Sequence, residues 1–112
     1  MIQVIYYRNY NRLTIKGHAH SGEPGHDLVC AGVSTLAYTL AYTLAANVAN
    51  MEALDHARNV NVKLEPGDAQ ISCTVRSGAR AIVVRIYEAI CVGFEILARD
   101  YPQYISYEIH GG

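Results

Sequence analysis

Apolar and polar residues fall along this chain in blocks whose periods name the elements. Ile2 to Tyr7 alternates as a strand does, and polar residues around Asn9 and Asn11 supply a turn. Leu13 to Lys16 is a second strand, with Leu13 and Ile15 on one face. From Leu28 to Asn50 the spacing changes to that of a helix, and Val29, Val33, Leu36, Leu40 and Leu44 make one apolar stripe. Asn59 to Glu65 alternates again, with Val60, Val62 and Leu64 pointing one way. Pro66-Gly67 fits a tight turn, the proline presetting φ and the glycine accepting a positive φ. Ala69 to Arg76 returns with Ile71, Cys73 and Val75 inward. A second helix spans Ala79 to Arg99. Its polar stripe is Arg85, Glu88, Glu95 and Arg99, and its apolar side holds Ile82, Val83, Ile86, Ile90, Phe94 and Leu97. Tyr104 to His110 closes the chain as a strand with Ile105, Tyr107 and Ile109 on one face.

The order is ββαββαβ. Because the later strands alternate, one sheet face is wet and the helices cover the other. This predicts a two-layer α+β domain, residues 1–112, with a mixed, mostly antiparallel sheet and two helices on one face. Tyr38 and Tyr42 lie opposite Leu36 and Leu40 on the first helix. That side is uncharged, so the second helix, another subunit or plain solvent faces it.

Residues Val29 to Asn50 carry no formal charge, a length near the roughly 20 residues that span a bilayer. Ser34, Thr35, Thr39, Thr43, Asn47 and Asn50 make the segment too polar for a lipid-facing helix, and a buried soluble helix is expected instead. The chain has 112 residues, 51% of them hydrophobic, enough for one domain with a real core. A net charge of -1 without a basic block speaks against direct nucleic-acid binding. The alternating N-terminus does not read as a targeting signal. Three scattered cysteines without a CxxC pair suggest thiols in a reducing cytoplasm.

The chemistry concentrates in one loop, GHAHSGEPGHDLVCAGVS, from Gly17 to Ser34. A helix that follows a strand and packs back on the sheet starts near the edge where the strand ended. His18 ends the second strand and Cys30 opens the helix, so the fold direction brings them together. Asp27 is a good N-cap, which would place Cys30 at N3, in the positive end of the helix dipole. There a thiolate is favoured, an imidazole can pass protons, and free N–H groups can hold an oxyanion. Gly22 and Gly25 would let the loop move or let a backbone approach closely.

Other readings stand beside this one. A cysteine at a helix start is commonly a small buried hydrophobe. His18, His20, His26 and Cys30 could also be four zinc ligands, although their spacing matches no familiar zinc pattern and a glycine-rich loop does not suit a closed site. Cys73 and Cys91 read as packing residues, His56 and His110 as surface residues, and Glu88 and Glu95 as a solvated helix face.

Gly17-His18-Ala19, then Gly25, then Asp27-Leu28-Val29-Cys30-Ala31 and Val33-Ser34, resembles the ribosomal-processing cysteine protease family, Prp, whose pattern is roughly GHA, a short loop, then G-x-D-[IV]-V-C-A-x-x-S. The element order and length fit the same family. The resemblance implies a His-Cys dyad with His18 as general base and Cys30 as nucleophile, supported by Gly17, Gly25, Asp27, Ala31 and Ser34. It implies no cofactor and no metal. It further implies a cytoplasmic endopeptidase that removes the N-terminal extension of large-subunit ribosomal protein number twenty-seven, cutting after a pair of phenylalanines. A homodimer with a mobile loop over the site is expected, with no membrane or nucleic-acid partner. The alternative is a non-enzymatic ribosome-assembly or interaction module on the same fold.

Overall fold

The computed structural model describes residues 1–18, 26–52, 57–75 and 77–111. Five strands and two helices follow in the expected order: β1 Ile2–Tyr7, β2 Arg12–Lys16, α1 His26–Glu52, β3 Ala57–Glu65, β4 Asp68–Val75, α2 Arg80–Asp100 and β5 Ile105–His110. They form one sheet of order β3-β4-β2-β1-β5. Its neighbours are antiparallel except β1 and β5, which run parallel, as the α2 crossover between β4 and β5 allows.

Strand alternation sets the two faces. Ile2, Val4, Tyr6, Leu13, Ile15, Ile71 and Cys73 are buried and pack with both helices in one core. Gln3, Arg12, Lys16 and Thr74 are exposed on the other face. The edge strand β3 is thinly covered. Val60 and Leu64 are half-buried against the core, while Val62, expected inward, is 45% exposed on this edge strand.

On α1 the buried stripe is Val29, Val33, Ala37, Leu40, Ala41 and Leu44. Leu36 departs from the expected stripe and reaches sideways to α2, where a Cβ on Gly93 would stand 2.5 Å from its Cδ2. The exchange is mutual, since Leu97 of α2 lies over Gly32 of α1, 3.2 Å from where a Cβ would be. The two helices approach closely through these glycines. Over Asp27–Asn47, α1 is long and apolar enough to cross a membrane. Its buried stripe is seated on the sheet.

The core of α2 is Val83, Tyr87, Cys91 and Phe94, and Ile82 is 47% exposed. This corrects the expected apolar side, which included Ile82 and omitted Tyr87, while Cys91 is the packing residue expected. Tyr87 can be buried because its hydroxyl has acceptors at depth: it donates to the Asn11 carbonyl at 2.6 Å and to the Ile71 carbonyl at 3.1 Å. Its ring stacks on Tyr6 with centroids 5.3 Å apart. The Asn11 carbonyl also accepts the Cys73 N–H at 3.0 Å, and Asn11 adopts φ 48°, a left-handed conformation that asparagine tolerates.

Candidate active site

Helix α1, which carries Cys30, already includes His26, one residue before the anticipated cap. Asp27 is therefore the second residue of α1 rather than its N-cap, and Cys30 is the fifth rather than N3. The carboxylate still lies in the positive first turn, where it is favourable. Cys30 sits just beyond that turn, so its own N–H is engaged within the helix.

His18 is delivered by Gly17. That residue leaves β2 at φ 93°, and a Cβ on it would run into the Met1 carbonyl oxygen, so only glycine fits. Its N–H donates to the Gly67 carbonyl at 3.0 Å, which ties the end of β2 to the β3–β4 turn. The His18 imidazole then lies directly on Gly67, 2.6 Å and 3.0 Å from the Cβ position for Cε1 and Cδ2.

His18 and Cys30 line the same cleft, a cavity of about 370 Å³. Cys30 is half-buried and packs against the core, and His18 is exposed. Ser34 and Tyr38, one and two turns beyond Cys30, continue the cleft wall along α1. The tip of the β3–β4 hairpin, from Leu64 to Ala69, forms the facing wall, with Ile2, Ile15 and Gly17 also lining the cleft.

The charges at the rim are paired. Asp68 accepts from Lys16 at 2.6 Å and from Lys63 at 2.7 Å, and these hydrogen bonds, Lys16 first, hold its carboxyl down at about 2. The other two thiols belong to the core. Burial pushes Cys73 and Cys91 each up to about 11.

Of the expected supporting residues, Gly17 and Ser34 line the cleft, while Asp27 and Ala31 are exposed beside it. Ala31 is turned away because only every third or fourth residue of a helix shares a face with Cys30. Gly25 and His20 lie outside the described residues, as does His56. His110 is exposed and pairs with Glu108 at 2.9 Å, in keeping with a surface role. Tyr38, Pro66, Gly67 and Asp68 went unassigned in the sequence. Helical spacing from Cys30 points to Tyr38, but the approach of the β3–β4 turn depends on strand pairing across the sheet.

The profile of the family described as cysteine protease Prp matches residues 1–106. The chain belongs to this family. Prp is a family of peptidases, so the chain is a cysteine protease, and the non-enzymatic alternative falls away. A ribosomal processing cysteine protease Prp of Mycoplasma pneumoniae is 24% identical over 100 residues, 89% of this chain and 88% of that protein. Among solved structures, SMU.848 from Streptococcus mutans superposes with a TM-score of 0.68 at 27% identity, over 98% of this chain and 94% of that one. The essential ribosomal processing protease Prp from S. aureus, in complex with a substrate peptide, gives a TM-score of 0.61 at 19% identity over 96% of each chain. The same enzyme with a covalently linked product peptide gives 0.58 at 20% identity, also over 96% of each chain. The two-layer α+β architecture is thus the fold of Prp.

Proposed function

We propose that this Prp protease cleaves peptide bonds through a dyad of His18 and Cys30, and that its substrate is large-subunit ribosomal protein number twenty-seven bearing an N-terminal extension. The observation that carries the reading is the opening of both side chains into one cleft, in a chain whose family is a cysteine protease. The relatives named for ribosomal processing support the substrate class.

In this mechanism His18 takes the proton of Cys30, and the thiolate attacks the scissile carbonyl carbon. The carbonyl oxygen becomes an oxyanion, for which backbone amides at the start of α1 are the donors. The C–N bond breaks as His18 protonates the leaving amine. Water, deprotonated by His18, then attacks the thioester, releases the acyl product and restores the thiol.

From Cys30 to Tyr38 the α1 wall runs about 12 Å at 1.5 Å per residue. An extended peptide advances about 3.3 Å per residue, so about four substrate residues fit along it. The apolar lining from Val33, Ala37, Tyr38 and Leu64 suits the aromatic pair expected before the cut.

The test is to mix the protein with the extended ribosomal protein and read product masses. A single cut after the two phenylalanines is expected, lost in Cys30→Ala with the fold intact. Cleavage that persists in Cys30→Ala rejects the dyad, and cleavage indifferent to replacing both phenylalanines by alanine rejects the specificity.

The enzyme acts in the cytoplasm as a homodimer, without a membrane or nucleic-acid partner. Tyr38 and Tyr42 support the dimer. They are 49% and 72% exposed and stack on each other at 6.2 Å, and α2 does not cover them. Sedimentation showing only monomer at micromolar concentration would reject it.

A further inference from the structure

We propose that Gly67, at the β3–β4 turn, is a positioning residue for the His18 imidazole; the proposal rests on His18 being the base of the dyad. Three successive links fasten this turn to the end of β2. Lys16 donates to Asp68 at 2.6 Å, the Gly17 N–H donates to the Gly67 carbonyl at 3.0 Å, and the His18 ring lies on the Gly67 Cα. Lys63, from the β3 side, grips the same Asp68 at 2.7 Å. The turn is therefore stapled in place by its neighbours on both sides.

The decisive contact is the one a side chain would abolish. A Cβ at Gly67 would collide with Nε2 of His18 and stand 2.6 Å from Cε1 and 3.0 Å from Cδ2. Ordinary carbon contacts begin near 3.5 Å, so the ring would have to shift by about 1 Å. A displacement of about 1 Å in catalytic geometry can cost about 100-fold in rate. Gly67 thus has two separate reasons to be glycine. Its φ of 73° suits the turn, which asparagine would also tolerate, and its missing side chain suits His18, which asparagine would not.

Gly67→Asn separates the two reasons. It preserves the left-handed turn and adds the obstructing carbon. The measurements are kcat and KM on a peptide spanning the ribosomal cut, and the alkylation rate of Cys30 at pH 7. They are made in wild type, Gly67→Asn, His18→Ala and the double variant, with circular dichroism as the check on folding. Gly67→Asn should lower kcat about 100-fold with KM within about threefold. It should slow Cys30 alkylation as His18→Ala does, and add nothing further in the His18→Ala background. A folded Gly67→Asn protein with wild-type kcat and alkylation overturns the proposal. So does an equal loss with and without His18. If His18→Ala itself leaves cleavage and alkylation unchanged, the dyad is wrong, and the positioning role falls with it. Should Gly67→Asn not fold, Asp68→Asn decides. It loosens the turn without adding bulk, and should lower kcat severalfold in a folded protein; unchanged kcat overturns the proposal.

Discussion

The three cysteines are expected to separate by reactivity in a single labelling experiment. The perturbation is iodoacetamide at pH 8 on the folded protein. Cys73 and Cys91 are 2% and 4% exposed, and burial raises each thiol to about 11. A thiol at that value is about one part in a thousand thiolate at pH 8, whereas one at the ordinary 8.5 or so is about one quarter thiolate, a ratio of about 200. Restricted access at the two buried sites adds to the difference. Cys30 is half-buried and opens into the cleft, so it should take up label at least about 100-fold faster than either. Mass spectrometry of tryptic fragments over a time course reads all three rates in one sample. In His18→Ala the Cys30 rate at pH 7 should fall severalfold, and cleavage should cease without unfolding. Equal labelling of Cys30 and Cys91 would refute the placement of the core, and a Cys30 rate indifferent to His18 would refute a dyad assembled before substrate arrives.

Gly17→Ala should lose about 1–3 kcal/mol or more, because φ 93° is strained for alanine and the new methyl meets the Met1 carbonyl; thermal unfolding checks it, and cleavage should fall with it. Tyr87→Phe leaves two buried carbonyls short of one donor and should cost about 1–2 kcal/mol in urea unfolding while kcat holds within about twofold. Stability should fall as pH rises through about 9 to 12. Cys73 and Cys91 at about 11 and Tyr6 at about 12 all keep protons in the folded state that the unfolded chain releases earlier, so the stabilisation is full below pH 9 and lost above it. A melting temperature that is flat from pH 8 to 11 would contradict these burials.

Most of the fold could be read from the sequence because each element carries its own period. The two-residue alternation of Ile2–Tyr7 and Asp68–Val75 and the α2 stripe needed no partner to be recognised. What the sequence reading missed depends on partners. The α2 pattern leaves Tyr87 unassigned, because its burial depends on the Asn11 and Ile71 carbonyls that receive its hydroxyl. Val62 alternates correctly, but its exposure follows from β3 being an edge strand. That His18 and Cys30 line one cleft was legible from fold direction and from the Prp pattern together. The facing wall was not, since Gly67 comes to His18 only through the pairing of β2 with β4, where Lys16 meets Asp68. The start of α1 was displaced because Asp27 is an equally good residue for a cap and for a first turn.

The reciprocal seating of Leu97 on Gly32 and Leu36 on Gly93 also constrains how this enzyme can diverge. Each pair holds one fixed volume, shared between a residue of α1 and one of α2. A lineage that enlarges Gly93 has to shorten Leu36 at the same step or soon after, or else pass through an overpacked intermediate costing about 1–3 kcal/mol. Gly32 is more lenient, because the flexible end of Leu97 can yield a few tenths of an ångström. Among descendants of this sequence, positions 36 and 93 should therefore vary together, their sizes trading against each other, while position 32 drifts no further than alanine.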